Sequence, residues 1–194
     1  SPTGVHQTER SLQLISHLGC DSIMLDGKEF NFKGQGAIVF HAGGSDSRRA
    51  WPENKWIKLA EILSKNHQIA IVKTPETTNL IQHMIDRDLM VEIFDGDLIK
   101  FKNWLRNQKM LIGNDSMPGH LAAYIGIPAI SIFGSQDPKL TCPIGKWITI
   151  IQPNESCEHK RNHWRLCQKC METIDVERVS GAAIKLLTRA QAGE

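Results

Sequence analysis

Residues 109–134 read KMLIGNDSMPGHLAAYIGIPAISIFG, and this stretch decides the fold because it holds one complete strand–helix–strand unit. Apolar runs at 109–113 and 129–134 suit buried strands, and the pattern between them, from Pro118, suits a helix. A short polar segment, from Asn114 to Ser116, joins the first strand to the helix. Two apolar strands separated by a helix are typical of a parallel sheet that is covered on both faces.

The same alternation continues toward the amino terminus. Apolar runs at 37–40, 68–73 and 89–94 are each followed by a helical pattern. We therefore predict an α/β domain with a doubly wound, Rossmann-like parallel sheet, in which ligands bind beyond the carboxyl ends of the strands. The spacing of apolar residues predicts two further helices outside this unit, one ending near Gly19 and one over VERVSGAAIKLLTRAQ near the end of the chain.

Composition excludes several classes of partner. The 194 residues include 23 lysines and arginines against 21 acidic residues, so net charge gives no reason to expect nucleic acid or an anionic membrane. No apolar run approaches the ~20 residues that a membrane-spanning helix needs, and the start SPTGVHQTER has no signal-peptide pattern. We therefore expect a cytoplasmic protein with no transmembrane segment. Five cysteines are an odd number, which argues against a secreted, disulfide-linked scaffold.

The loop after the first strand is the first candidate site, and it reads HAGGSDSRRAWPENKW from His41 onward. It offers open backbone, hydroxyl groups and fixed positive charge at Gly43, Gly44, Ser45, Ser47, Arg48 and Arg49. These groups suit phosphate, because backbone N–H groups and arginine side chains form hydrogen bonds with phosphate oxygens. The alternative is a surface loop with solvated arginines, since glycine-rich loops are common.

The polar segment at the start of the next helix is the second candidate site. Ser116, the free backbone N–H groups of the first turn and His120 could together receive a diphosphate, because a helix start carries unpaired donors and partial positive charge. Alternatively, Asp115 or Ser116 only caps the helix and His120 is a packed side chain. After the following strand, Ser135 and Gln136 either offer polar contacts or form a plain turn.

The tail contains Cys157, Cys167 and Cys170, with His159 and His163 between them. Such ligands suit zinc, but only CQKC forms a closely spaced pair, whereas structural zinc sites usually show two pairs. We therefore expect no metal site and no cofactor. A zinc-stabilised interaction domain is the alternative for this tail.

Taken together, HAGGSDSRRAWPENKWIKLAEIL, IGNDSMPGHLAAYIGIPAISIFGSQDP and the cysteine-bearing tail resemble the carboxyl-terminal half of the ADP-heptose:lipopolysaccharide heptosyltransferase family, glycosyltransferase family nine. The resemblance covers approximately Gly36 to Leu187, and HLAAYIGIPAISIFG is its most specific part. It implies the GT-B architecture, in which two Rossmann-like domains face each other across a cleft and the second holds most of the donor nucleotide. We expect this chain to comprise an interdomain helix and linker over 1–35, the nucleotide-sugar-binding domain over 36–175 and a carboxyl-terminal helix over 176–194.

The resemblance also implies roles by position. Gly43 to Ser47 and Arg49 would approach the donor phosphates, while Ser116, preceded by Asp115, would complete the diphosphate site together with His120. A nucleotide diphosphate sugar is therefore the expected ligand.

Three positions match the family's usual pattern less closely. Arg49 occupies the place of a phosphate-binding lysine, two residues before Trp51. Met117 replaces a glycine that allows close approach of backbone to phosphate. Glu76 is the nearest candidate for the acidic residue that contacts the donor ribose.

The function implied by the resemblance is inverting transfer of a sugar, expected to be heptose, from ADP-heptose to a lipopolysaccharide core or related glycan. The acceptor and the catalytic base, a carboxylate, would belong to an amino-terminal domain absent from this chain. The whole protein would work in the cytoplasm, or peripherally at the inner face of the inner membrane. The alternative is a non-catalytic nucleotide-binding or regulatory module of the same fold.

Overall fold

The computed structural model of the chain describes residues 4–17, 34–44, 46–155 and 167–193. Several positions named above lie outside these residues, namely Gly19, Ser45, Cys157, His159 and His163.

The core of the fold is a six-stranded sheet in which all neighbouring strands are parallel. The order is β3-β2-β1-β4-β5-β6, so the predicted doubly wound, Rossmann-like sheet is confirmed. The strand bounds are β1 Ile38–His41, β2 Ile69–Val72, β3 Val91–Phe94, β4 Met110–Asn114, β5 Ala129–Ile132 and β6 Ile148–Ile151. The chain winds to one side from β1 and to the other side from β4, which makes the gap between β1 and β4 the switch point where such sheets bind ligands.

Eight α-helices accompany the sheet in the described part of the chain. Their bounds are α1 Gln7–His17, α2 Glu53–Leu63, α3 Thr78–Ile85, α4 Leu98–Leu105, α5 Met117–Ile125, α6 Pro138–Thr141, α7 Gln168–Glu172 and α8 Val176–Ala192. None of the helices in this part of the chain is both long and apolar enough to cross a membrane.

Apolar packing on both faces of the sheet explains why the strands read as continuous apolar runs. Ile38 and Phe40 of β1 pack in one cluster with side chains of α2, α3 and α8, whereas Val39 packs in a second cluster with side chains of α4 and α5. Trp51 and Trp56 are almost completely buried in the first cluster and meet edge to face. These two tryptophans are therefore core residues, which is a common role for tryptophan in proteins.

Helix α5 lies close against β5, which places its first turn at the switch point. A Cβ atom on Gly119 would come within 2.6 Å of the Ser131 hydroxyl oxygen, so only glycine permits this approach. The helix ends at Gly126, whose φ of +80° is the left-handed conformation usual at this position.

Strand β6 is the main element that the sequence analysis does not predict. Its four residues, Ile148–Ile151, lie in a stretch rich in proline, cysteine and charge, and they pair with β5 at the edge of the sheet. After β5, the segment with Ser135 and Gln136 leads into the short helix α6. Asp137 is the N-cap of this helix, because its side chain accepts a hydrogen bond from the Lys139 N–H. A short edge strand with half-buried residues gives little periodic signal.

Candidate functional site

The loop between β1 and α2, residues 42–51, is closed at its base by one side chain from β4. The Asn114 side-chain oxygen accepts a hydrogen bond from the Trp51 backbone N–H at 3.0 Å, and its amide nitrogen donates to the Ala42 carbonyl at 2.8 Å. The Trp51 indole N–H donates to the Ile174 carbonyl at 3.0 Å. The two ends of the loop are therefore fixed to the sheet and to the segment before α8.

Within this loop the two arginines have different surroundings. Asp46 caps a single 3₁₀ turn, Ser47–Arg49, by accepting from the Arg48 backbone N–H. The Arg48 guanidinium donates two further hydrogen bonds to the same carboxylate, at 2.9 and 2.7 Å. These bonds, with the charge of Arg48, lower the pKa of Asp46 to about 2. The Arg48 side chain is therefore bound to a carboxylate of its own loop.

Arg49 faces Asp115 instead. The shortest distance between the guanidinium and the Asp115 carboxylate is 3.7 Å, which is an ion pair but too long for a hydrogen bond. Asp115 is only 8% exposed, and its burial raises the pKa of the carboxyl group while the charge of Arg49 lowers it. The Nε atom of Arg49 is shielded from solvent and has no hydrogen-bond partner among the described residues. The guanidinium therefore retains N–H groups that a ligand could use.

The residue before α5, Ser116, carries a second polar group that a ligand could use. Ser116 occupies the N-cap position in an extended conformation, but its hydroxyl makes no capping hydrogen bond. The hydroxyl oxygen is buried and lacks a partner within the described structure. The alternative in which the Ser116 side chain caps the helix is therefore not what the structure shows.

His120 lies one turn further along α5. Burial lowers the pKa of its imidazole, and the nearby His6 acts in the same direction, while hydrogen bonding with the Thr141 backbone raises the pKa. The net direction is a lowered pKa, which favours the uncharged imidazole when no ligand is bound.

A pocket of about 570 Å³ brings about half of the predicted site residues together. Arg49 and the first turn of α5 form one side of it, with Asp115, Ser116, Met117 and His120. The other side consists of residues from the start of α1 and from the β5–α6 segment, namely His6, Gln7, Thr8, Ser11, Gln136 and Thr141.

The part of the pocket formed by α1 is a feature that sequence reasoning missed. The His6 ring links α1 to the segment after α6, because its Nδ1 accepts from the Thr8 N–H and its Nε2 lies 3.1 Å from the Cys142 carbonyl oxygen. The sequence predicts an interdomain helix and linker over 1–35, with no part in the binding site. A histidine followed by polar residues at the start of a helix was the only signal available.

Other predicted residues lie away from this pocket. Gly43 is buried where a side chain would overlap Thr74, so this glycine serves close packing. Gly44 and Ser47 are not among the residues that line the pocket. Ser135 accepts a hydrogen bond from the Cys167 N–H, which makes it a structural contact.

Glu76 belongs to a separate polar cluster at the end of β2. A hydrogen bond with the Thr74 side chain lowers the pKa of Glu76, and the nearby His41 contributes to the same shift. Burial in turn lowers the pKa of His41, at the end of β1. Loop 42–51 leaves the sheet between these residues and the pocket, so the structure does not bring Glu76 together with Ser116 and His120.

The described residues contain no group of three or more histidine, cysteine or acidic side chains placed to hold a metal ion. Cys157, His159 and His163 of the tail are not among these residues.

The sheet order defines a Rossmann-like α/β domain with a loop pocket at its switch point. The chain belongs to glycosyltransferase family 9, the heptosyltransferase family, whose sequence pattern matches residues 5–170. No curated protein matches the chain.

Three solved structures illustrate the similarity in fold. Heptosyltransferase WaaC of E. coli, solved with ADP, has a TM-score of 0.72 at 18% identity, over 95% of this chain and 57% of that one. The E. coli ADP-heptose lipopolysaccharide heptosyltransferase II has a TM-score of 0.68 at 16% identity, over 96% and 53% of the two chains. A family 9 glycosyltransferase of Veillonella parvula has a TM-score of 0.64 at 16% identity, over 97% and 55%. The chain thus spans a little over half the length of each.

Proposed function

We propose that this chain is the donor-binding half of an inverting glycosyltransferase that uses a nucleotide diphosphate sugar, with ADP-heptose as the donor and a lipopolysaccharide core or related glycan as the acceptor. The observation that carries the proposal is the pocket at the switch point, where Arg49, Ser116 and His120 converge. Family membership supports glycosyl transfer, and E. coli WaaC, which shares the fold, has been solved with ADP. In this proposal residues 1–35 connect two domains, 36–175 bind the donor and 176–194 form the closing helix.

The pocket suits a diphosphate because Arg49 supplies positive charge and the buried Ser116 hydroxyl has no partner among the described residues. At the start of α5 the Met117 N–H can also donate, whereas Pro118 has no N–H and the Gly119 N–H donates to the Ser116 carbonyl at 3.3 Å. When the bond from the sugar to the diphosphate breaks, negative charge develops on the leaving oxygen. Donors that are already in position stabilise this charge without reorganisation, and no metal ion or cofactor enters this scheme.

We further propose that the backbone of Gly43 to Ser47 borders the phosphates and that Glu76 contacts the ribose, on the side of the loop away from Ser116. Glu76 suits this role because its carboxylate is exposed, and an ionised carboxylate is a strong acceptor for ribose hydroxyl groups. The base that deprotonates the acceptor is assigned to another domain, with the whole enzyme in the cytoplasm or at the inner face of the inner membrane.

Calorimetric titration with ADP, ADP-heptose and adenosine tests the proposed ligand. We expect ADP and ADP-heptose to bind at least about tenfold more tightly than adenosine, because charge-assisted contacts to phosphate contribute about 1.5–3 kcal/mol each. Equal affinity for ADP and adenosine would contradict the phosphate role of this pocket.

A second candidate is a nucleotide-binding or regulatory module without catalysis, and Met117 is the observation that favours it. Its side chain is half-exposed at the pocket, where the family resemblance implies a glycine. If this side chain impedes the donor, Met117→Gly should tighten ADP binding, since glycine lets the backbone approach phosphate. Tighter ADP binding in this variant, with the parent binding ADP-heptose no better than ADP, would favour the non-catalytic module, whereas unchanged affinity would remove the observation that supports it.

A further inference from the structure

Asn114 occupies the switch point of the sheet as the last residue of β4, directly before the pocket residue Asp115. Only 3% of its surface is exposed, and both polar atoms of its amide are used. One accepts from the Trp51 N–H and the other donates to the Ala42 carbonyl. These partners lie at the two ends of the loop that carries Arg49.

The anchoring matters because the Arg49 side chain makes no hydrogen bond within the described residues, so its position depends on the backbone that carries it. Its distance of 3.7 Å from Asp115 is beyond hydrogen-bond range, so this ion pair gives the guanidinium little directional restraint. Arg49 lies two residues before Trp51, whose backbone Asn114 holds. Asp115 follows Asn114 directly, so the Asn114 amide connects the loop that carries Arg49 to the strand end that carries its ion-pair partner.

We propose that Asn114 is a positioning residue for donor binding, which closes loop 42–51 at both ends and thereby places Arg49 against the donor phosphates. This inference rests on the proposed function. It assigns to Asn114 a role that acts through Arg49 and requires no contact with the ligand. An amide that both accepts and donates suits this position, because the loop ends present one backbone donor and one backbone acceptor.

The chain contains a matched control at the opposite end of the same strands. Gln108 is also buried, with 7% of its surface exposed. Its side-chain oxygen accepts from the Ala37 N–H at 2.9 Å, and its amide nitrogen donates to the Trp104 carbonyl at 3.3 Å. Loss of either amide leaves buried backbone groups unpaired, so both substitutions should lower the free energy of unfolding. Only Asn114 lies beside the pocket.

The test combines calorimetry and urea unfolding on the whole chain, with ADP and adenosine as probes. We expect Asn114→Ala to weaken ADP binding by about tenfold, similar to the loss of a charge-assisted contact, with adenosine binding unchanged. Gln108→Ala should lose stability and keep the ADP affinity of the parent. The double variant Asn114→Ala with Arg49→Ala should bind ADP no more weakly than Arg49→Ala alone, because residues that act through one another are not additive.

Additive losses in this double-mutant cycle, or equal ADP losses in Asn114→Ala and Gln108→Ala, would overturn the positioning role. Should Asn114→Ala fail to fold, Asn114→Asp replaces it, since aspartate keeps the acceptor for the Trp51 N–H and removes the donor to Ala42. An ADP affinity equal to that of the parent in this variant would also overturn the inference. If the parent does not bind ADP, the proposed function falls and the inference with it. If Arg49→Ala weakens binding without coupling to Asn114, only the inference falls.

Discussion

At the scale of single residues, the two adjacent arginines allow a charge-matched experiment. Arg48 is held by Asp46, whereas Arg49 lies at the pocket. We expect Arg49→Ala to weaken ADP binding by about tenfold or more while adenosine binding stays constant, because a lost charge-assisted contact costs about 1.5–3 kcal/mol. Arg48→Ala removes the same charge and should leave ADP affinity within about twofold of the parent, since an exposed charge is largely screened.

Calorimetric titrations of both arginine variants at two salt concentrations would separate the alternatives. A similar loss in the two variants would indicate a general effect of net charge. A loss for adenosine equal to that for ADP would argue against contact with phosphate.

The buried carboxylate of Asp115 predicts a particular dependence of stability on pH. Burial raises its pKa in the folded chain, so in the acid range the folded state binds the proton more tightly than the unfolded state does. The contribution of Asp115 to the free energy of unfolding is therefore greatest below about pH 4 and declines as pH rises through the raised pKa. Relative to Asp115→Asn, the parent should lose stability over this window.

Asp46 provides a control of opposite sign, because its pKa is lowered to about 2 by Arg48. Its contribution is fully present above the ordinary aspartate pKa and is lost as pH falls from that value through about 2. Urea unfolding of the parent, Asp115→Asn and Asp46→Asn from about pH 2 to about pH 8 measures both slopes. Stability differences with the same sign of slope in the two variants would contradict the assignment.

The residues of the site were predictable only where their roles are local in sequence. Asp115, Ser116 and His120 follow a strand and begin a helix, so the pattern alone places them at the carboxyl edge of a parallel sheet. Arg48 and Arg49 differ because the Asp46 carboxylate binds only Arg48. Gly43 is buried because Thr74, in another loop, packs against it. Such contacts leave no periodic trace in the sequence.

At the scale of elements, the amino terminus of α5 predicts a separation of stability from binding. Because the Ser116 hydroxyl makes no capping bond, Ser116→Ala should change the free energy of unfolding by less than about 0.5 kcal/mol, below the usual value for loss of a cap. The same variant should weaken ADP binding by about tenfold if the hydroxyl donates to phosphate.

A true cap on another helix serves as the control. Asp97 is the N-cap of α4, and its carboxylate accepts a hydrogen bond from the Lys100 N–H at 2.8 Å. Asp97→Ala should cost about 0.5–2 kcal/mol of stability with no change in ADP affinity. Thermal unfolding and calorimetry on both variants decide between the roles, and a large stability loss in Ser116→Ala would restore capping as its function.

Elements differed in how well the sequence predicted them. Strands β1, β2, β4 and β5 are buried on both faces, and their branched apolar residues give an unmistakable run of about four residues each. Strand β6 lies at the edge of the sheet and is partly exposed, so its sequence has no long apolar run. The prolines and charged residues on either side of it favour a loop prediction. The position of α1 beside the pocket follows from contacts with the segment after α6, more than 130 residues away, which no local pattern encodes.

At the scale of the whole molecule, the chain should bind a donor without consuming it. It spans a little over half the length of the solved structures that it matches, and the proposed catalytic base lies outside it. We expect saturable ADP-heptose binding by calorimetry and no enzyme-dependent release of ADP when a lipopolysaccharide core acceptor is added. Time-dependent ADP release in proportion to the concentration of the chain would mean that it carries its own base.

The bridge from Asn114 to both ends of loop 42–51 also bears on how the binding site comes into being. Asn114 joins residues that precede it by 63 and 72 positions, so the loop with Arg49 is synthesised long before the strand that anchors it. Contacts between such distant segments form late, because the chain must first close a long loop. A nascent chain that ends before β4 would carry the arginine but not its anchor. We therefore expect nucleotide binding to begin only after β4 has been synthesised and has paired with β1, which joins the two halves of the sheet.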